Sequence, residues 1–302
     1  MQTRMKSGAG VPSVVAALIM VCLATGCSPG TEAARAPVPT RSLPVVDRAL
    51  GAGVRAALNE VTGEVVLPMS AYWYSDHENV LVNSAVGFLI DDCIHKAGFA
   101  VAPWGGNGKA LQDRRYGQWS RRLAAKNGDM PEIRKVPGVL PAQPDRPAVS
   151  PETQQAETKC YNSVGRAGFP ELLEGLAGDL SVQQQITQDA VGLTARDPEY
   201  LKFREDWQRC LADKGLKVMA GDSWSVGSGG SKEDEIRVAV LDVECKESSG
   251  GARKPYDIFA QYQAALMKDH QAELNVLAEQ KKAAVERAKT VLRDHGVADA
   301  RL

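Results

Sequence analysis

The sequence predicts a mainly α-helical fold, an irregular bundle of helices stapled by disulfides. Three observations point that way. A cysteine followed five residues later by a glycine occurs four times, as Cys93…Gly98, Cys160…Gly165, Cys210…Gly215 and Cys245…Gly250, each phrase closing a stretch with helical character. Helix-start signals stand ahead of several of these stretches. Hydrophobic residues make up 44% of the chain but aromatics only 6%, so Ala, Val and Leu carry the apolar mass, a balance that favours helices over a β-sandwich.

The first residues read as an export signal. Arg4 and Lys6 form a positive start, Val11 to Leu23 is an apolar run interrupted by Pro12 and Ser13, and small residues follow in Leu23-Ala-Thr-Gly-Cys27. A run this short fits a cleaved signal better than a spanning helix. Its end resembles a bacterial lipobox, which implies cleavage after Gly26 and a lipid anchor on Cys27. The domain plan is then a signal peptide over 1–26, a lipidated cysteine and flexible tether over 27–43, and one helical domain over 44–302. Its halves are about 61–170 and 171–302. Loss of residues 1–26 removes two basic side chains and no acid, leaving 34 basic against 37 acidic, a net of −3. That balance argues against a nucleic-acid partner.

Along the body, Pro44 to Leu58 is expected to hold a short helix with Leu50, Val54 and Leu58 on one face, and Val61 to Leu67 a brief strand. Ser75-Asp-His-Glu78 has the form of a capping box opening a helix to about Ala97, with Gly98 as its left-handed stop. An apolar run around all sides of that helix, Val80 to Ile90, marks it as the central element. Residues 100–150 contain a Gly-rich loop and five prolines between 137 and 151, and read as a long surface connection wrapping the bundle. A helix then runs from Pro151 through Cys160 to Gly165, and a short one over 171–180. Asp197-Pro198 supplies an N-cap and a proline at the first helical position for a helix bearing Tyr200, Phe203, Trp207 and Leu211 on one face, stopped by Gly215. Ser231 opens the next helix, to Cys245. After Pro255 one long helical pattern extends from Tyr256 to His295, with a weak seam through Leu266, Leu274, Leu277, Ala284, Ala288 and Val291.

Four cysteines remain for the mature fold, Cys93, Cys160, Cys210 and Cys245. In an exported protein they are read as two disulfides, and three connectivities are possible. The pairing 93–160 with 210–245 is preferred, because each then joins neighbouring helices across one loop and the two halves look alike. Each would contribute about 4 kcal/mol on the loop-entropy model. No CxxC or HxxxH spacing suggests zinc.

The order of signals resembles a group of actinobacterial exported lipoproteins. It is carried by Leu67-Pro68 with Tyr72, the Cys93-x4-Gly98 helix, Arg115-Tyr-Gly117, Trp207-x2-Cys210-x4-Gly215 and Ala239-x2-Asp242-x2-Cys245, over most of residues 65–290. Ile94 and Leu211 stand where methionine is usual after the cysteine. The resemblance implies export, a helical disulfide-bonded body and, more loosely, an accessory role beside ABC-type export systems. It carries over no catalytic residue.

Enzyme motifs are not apparent. His77, His95, His270 and His295 have no metal-ligand spacing and read as solvated; Asp91-Asp92 are adjacent and point apart on a helix. There is no GxSxG, SxxK or P-loop, and no cofactor is expected. One stretch stands out as a possible interaction patch: Arg114, Arg115, Tyr116, Trp119, Arg121 and Arg122, which would meet an acidic partner, lipid headgroups or wall polymer. The plainer reading is that the two aromatics pack on the bundle. The expected function is a membrane-anchored lipoprotein on the extracytoplasmic face, a non-enzymatic accessory or interaction protein with a protein partner in the envelope. The alternatives are a ligand-binding lipoprotein with a pocket between the halves, and an envelope hydrolase lacking a recognisable motif.

Overall fold

A computed structural model describes residues 42–99, 108–138, 149–166, 169, 180–220 and 224–298. The signal peptide, Cys27, the tether up to residue 41, the glycines at 105 and 106, prolines 141, 144 and 147, and residues 171–179 of the helix expected over 171–180 lie outside those residues. Residues Leu43–Leu302 form one compact unit. Its described residues are mainly helical: α1 (Asp76–Lys96), α2 (Arg121–Asn127), α3 (Pro151–Arg166), α4 (Val182–Thr194), α5 (Pro198–Asp213), α6 (Lys232–Ser248), α7 (Lys254–Asp269) and α8 (Gln271–Asp294). Two small antiparallel ribbons complete it, β1 (Ala57–Leu58) with β2 (Val65–Val66), and β3 (Gly108–Leu111) with β4 (Ile133–Val136).

The helix starts follow local chemistry. Ser75 and Glu78 form the expected reciprocal cap on α1, with the Ser75 N–H donating to Glu78 at 2.7 Å and the Glu78 N–H to Ser75 Oγ at 3.2 Å. Asp197 caps α5 and Ser231 caps α6. Gly98 and Gly215 sit at φ +87° and +71°, and the next N–H returns five residues back, Phe99 to Ile94 O and Leu216 to Leu211 O. These are left-handed helix stops of the kind glycine favours. Gly165 differs: it lies inside α3, which continues to Arg166.

Four other expectations change. Instead of a helix over Pro44–Leu58 there is a 3₁₀ turn, Arg48–Gly51, and then β1. Gly51, at the end of that turn, packs directly on α7, where a Cβ would lie 2.2 Å from Gln261 O. The strand expected over Val61–Leu67 shrinks to β2, because Asn59 to Gly63 forms the turn of the ribbon. The long C-terminal helix is two, broken at His270, whose φ of −115° leaves the helical range. α8 stays in the first core through Leu274 and reaches the second only from Ala284 onward. Finally, 100–150 is no mere surface connection, since β3, α2 and β4 lie within it and Tyr116, Trp119 and Leu123 are buried. An unforeseen helix, α4, starts at a capping box of Ser181 and Gln184.

The two cores differ in composition. The first gathers Tyr116, Trp119, Tyr200, Phe203, Trp207, Trp224, Tyr256 and Phe259 with residues of α4 to α7. The second is mostly aliphatic, from Val80, Leu81, Ala85 and Ile90 of α1 to Ala284, Ala288 and Leu292 of α8. The disulfides are Cys93–Cys160 and Cys210–Cys245, with Cα separations of 5.8 and 5.5 Å. Each therefore links neighbouring helices, α1 to α3 and α5 to α6, as preferred from the sequence.

Candidate functional site

The stretch singled out for its arginines and aromatics does not make one exposed surface. Asp113 accepts from the Arg115 N–H at 2.9 Å, and the Gly117 N–H closes a turn onto Arg114 O at 2.9 Å. Gly117 takes φ +73°, and a Cβ there would lie 2.7 Å from Trp224 O and 2.8 Å from Lys246 Nζ. Only glycine combines that turn with that approach. The turn drives Tyr116 into the first core, its ring edge-on to Tyr200, Trp224, Tyr256 and Phe259 at 4.9 to 6.3 Å. Trp119 is buried too, and its Nε1 donates to Asp113 O at 2.7 Å. The arginines scatter. Arg114 pairs with Asp129, Arg115 lies over the Phe259 ring at 4.7 Å, and Arg121 reaches Glu244 at 2.8 Å. Arg122 is exposed, with no ion pair among the described residues.

What the buried end of this stretch meets is a polar centre. Asp242 accepts from Trp207 Nε1 at 2.7 Å and from Lys246 Nζ at 2.8 Å. Lys246 also donates to Gln118 O at 2.7 Å, and its ammonium lies 5.3 and 5.4 Å from the ring centroids of Trp207 and Trp224. Lys246 is 1% exposed and Asp242 4%. Burial pushes the Asp242 carboxyl up and the Lys246 ammonium down, each against the pull of the other's charge. Tyr116, walled in by the same rings, is pushed up by burial as well. Perturbed groups of this kind mark active sites when a substrate can reach them. Here the polar atoms of the pair already face each other, a carbonyl and two indoles, so the geometry is that of a structural knot.

The motif spacing now has a cause. Trp207 precedes Cys210 by three residues, and Asp242 precedes Cys245 by three, so α5 and α6 are tied twice on one face, by a hydrogen bond and by a disulfide one turn on. Arg115-Tyr-Gly117 closes over the same knot. Of its members Lys246, Trp224 and the Gln118 carbonyl escaped the sequence reading. The Asp242–Lys246 spacing of four is that of an ordinary solvated helix pair, and nothing local tells the two apart.

The remaining candidates are shallower. A cleft of about 450 Å³ opens between Val66, Leu67 and Pro68 on one side and Ala264, Met267 and Lys268 of α7 on the other. A more polar groove of about 850 Å³ runs along α3, past Gln154, Thr158 and Lys159. Among the described residues no group of His, Cys, Asp and Glu could hold a metal ion, and no helix is long and apolar enough to cross a membrane. His295 is more engaged than expected: its ring stacks on Phe88 at 4.5 Å, with Nδ1 2.7 Å from Val291 O and Nε2 3.2 Å from Asp92. His270 meets Glu273 at 2.6 Å.

No family model, curated protein or solved structure matches this chain. Its function is therefore argued from its own chemistry.

Proposed function

We propose that this is a lipid-anchored protein of the extracytoplasmic membrane face that acts by binding, as an accessory or interaction protein of an envelope or ABC-type export assembly. The observation that carries the reading is the pair of disulfides, Cys93–Cys160 and Cys210–Cys245, which account for all four cysteines beyond the lipobox and belong to an oxidising compartment. The positive start, apolar run and Leu23-Ala-Thr-Gly-Cys27 ending supply the route of export and the anchor. Binding is favoured over catalysis because the strongly perturbed groups, Asp242 and Lys246, are sealed in the core and occupied by each other. The family resemblance alone suggests the export assembly. The cleft beside Met267 favours the second reading, a small-ligand site, since its lining draws on both halves of the chain and its volume falls in the range of ligand pockets.

Two measurements test this. Cys27→Ala should move the protein from the membrane to the soluble fraction after a high-salt wash; full retention would reject the anchor. Cross-linking in intact cells followed by mass spectrometry should recover a reproducible envelope protein, and repeated recovery of none would count against the accessory role.

A further inference from the structure

The outward face of the β3–β4 ribbon carries two features that the fold does not explain. The register sets Lys109 directly opposite Lys135 and Leu111 directly opposite Ile133, and both pairs fall on one face. The other face, with Ala110 and Val136, is buried in the second core. Like charges placed directly opposite weaken a ribbon. Both lysines are exposed, and neither has an ion-pair or hydrogen-bond partner among the described residues. Leu111 and Ile133 are 61% and 53% exposed, and Met130, just before β4, is 60% exposed.

The neighbouring acids do not relieve this. Glu132 is held by Lys126 at 2.8 Å and Asn127 at 2.6 Å, Asp129 by Arg114, and Asp76 by Arg134 at 2.9 Å. The Arg134–Asp76 pair also fixes the ribbon to the start of α1, so the face is a firm platform. Two cations with no partner among the described residues, beside Leu111 and Ile133 and with exposed Met130 at the head of β4, form an amphipathic surface.

We infer that the Lys109–Lys135 and Leu111–Ile133 face docks on an anionic phospholipid bilayer, with Leu111, Ile133 and Met130 entering the interface and the lysines meeting headgroup phosphates. The complementarity is that of interfacial membrane binding, apolar burial plus attraction of cations to anionic lipid. A protein partner fits less well, because lysine is depleted from protein interfaces and here sits beside the apolar patch. Docking would orient the anchored body on its own membrane. For that cellular setting the inference rests on the lipid-anchor reading; the docking itself does not.

The test uses the chain without its signal peptide, Cys27→Ser to residue 302, which keeps the whole compact unit and carries no lipid. It should float with phosphatidylglycerol-containing vesicles at low salt, much less at high salt, and not with pure phosphatidylcholine vesicles. Lys109→Glu should weaken that binding about ten-fold or more, since each lysine near an anionic surface is worth about 1 kcal/mol and reversal adds repulsion. The same substitution puts Glu opposite Lys135, an attractive cross-strand pair, so the melting temperature should hold or rise. Leu111→Ser with Ile133→Ser should also lose binding, with the circular dichroism spectrum unchanged. Failure of the wild-type chain to bind anionic vesicles, or equal binding by Lys109→Glu, would overturn the inference, as would cross-links that place this face against a protein. Those results leave the anchor untouched, because the anchor is read by Cys27→Ala in cells after a salt wash.

Discussion

The two cysteine-linked helix pairs look like repeats in the sequence, yet they are held together by different physics. Between α5 and α6 the disulfide is one of two ties. One turn away Trp207 donates to Asp242, Lys246 completes the knot, and the helices bury Phe203, Trp207, Leu211, Val238 and Val243. Between α1 and α3 the disulfide has little company on the α3 side. Of the α3 side chains described, only Thr153 and Cys160 are buried. Ile90, where Trp207 stands in the other pair, has no polar atom to offer. The first pair is thus specified by directional bonds in an aromatic core, the second by aliphatic packing of α1 against α8 with α3 pinned to the outside. The two halves share the staple and the glycine stop after its first cysteine, but not the interactions that pack the helices around it.

The largest expected effect breaks the knot. Asp242→Ala leaves the Lys246 ammonium and the Trp207 N–H buried without their acceptor, and should cost about 3–5 kcal/mol in denaturant unfolding. Replacing both charges, Asp242→Leu with Lys246→Met, should cost far less, because the desolvation of a buried pair offsets much of its attraction. A single substitution as mild as the double one would show that the pair is dispensable and that the two helix pairs are alike after all.

Removing each disulfide sharpens the contrast. Either double Cys→Ser variant should lose about 2–4 kcal/mol of global stability. Amide exchange should separate them. Without Cys93–Cys160, residues 151–166 should lose protection while α1 keeps it. Without Cys210–Cys245, α5 and α6 should stay protected, because Trp207–Asp242 persists. Equal loosening of α3 and α5 would contradict the single-tie reading of the α1–α3 pair.

Legibility in the sequence followed the range of the interactions. Ser75 with Glu78, Asp197 with Pro198 and Gly98 or Gly215 act within one turn, so they could be read directly. Ser181 with Gln184 carries the same signature and was legible in principle, though α4 behind it has a mixed polar face. The break at His270 was not legible, since no Gly or Pro marks it and the apolar seam runs on past it, with Leu274 still in the first core. The arginine–aromatic stretch shows both sides. Its residue types are plain in the sequence, but the turn at Gly117 that sends Tyr116 inward depends on Trp224 and Lys246, more than a hundred residues away. The exposed cationic and apolar face on β3–β4 depends on a register that no local signal sets.

The smallest effect probes how the second core manages charge. Its counterpart to the buried knot is a partly exposed pair, Glu78 with Lys281 at 3.0 Å, joining the start of α1 to α8. Partial burial would push the Glu78 carboxyl up, but the Ser75 N–H, Lys281 and the Ser75 hydroxyl together hold it below its ordinary value of 4.5. A carboxyl with a lowered folded pKa contributes stability above its unfolded value, and that contribution is lost as pH falls through the folded value. Glu78→Gln should therefore cost about 0.5–1 kcal/mol at neutral pH, from the weakened cap, helix dipole and ion pair. The cost should shrink as pH drops below the ordinary glutamate range, where the native Glu78 is itself protonated. Unfolding titrations of both proteins across that range would measure it. A difference that stays constant with pH would assign the loss to the shape of the cap and not to charge, and would leave the Glu78–Lys281 pair no part in tying α1 to α8.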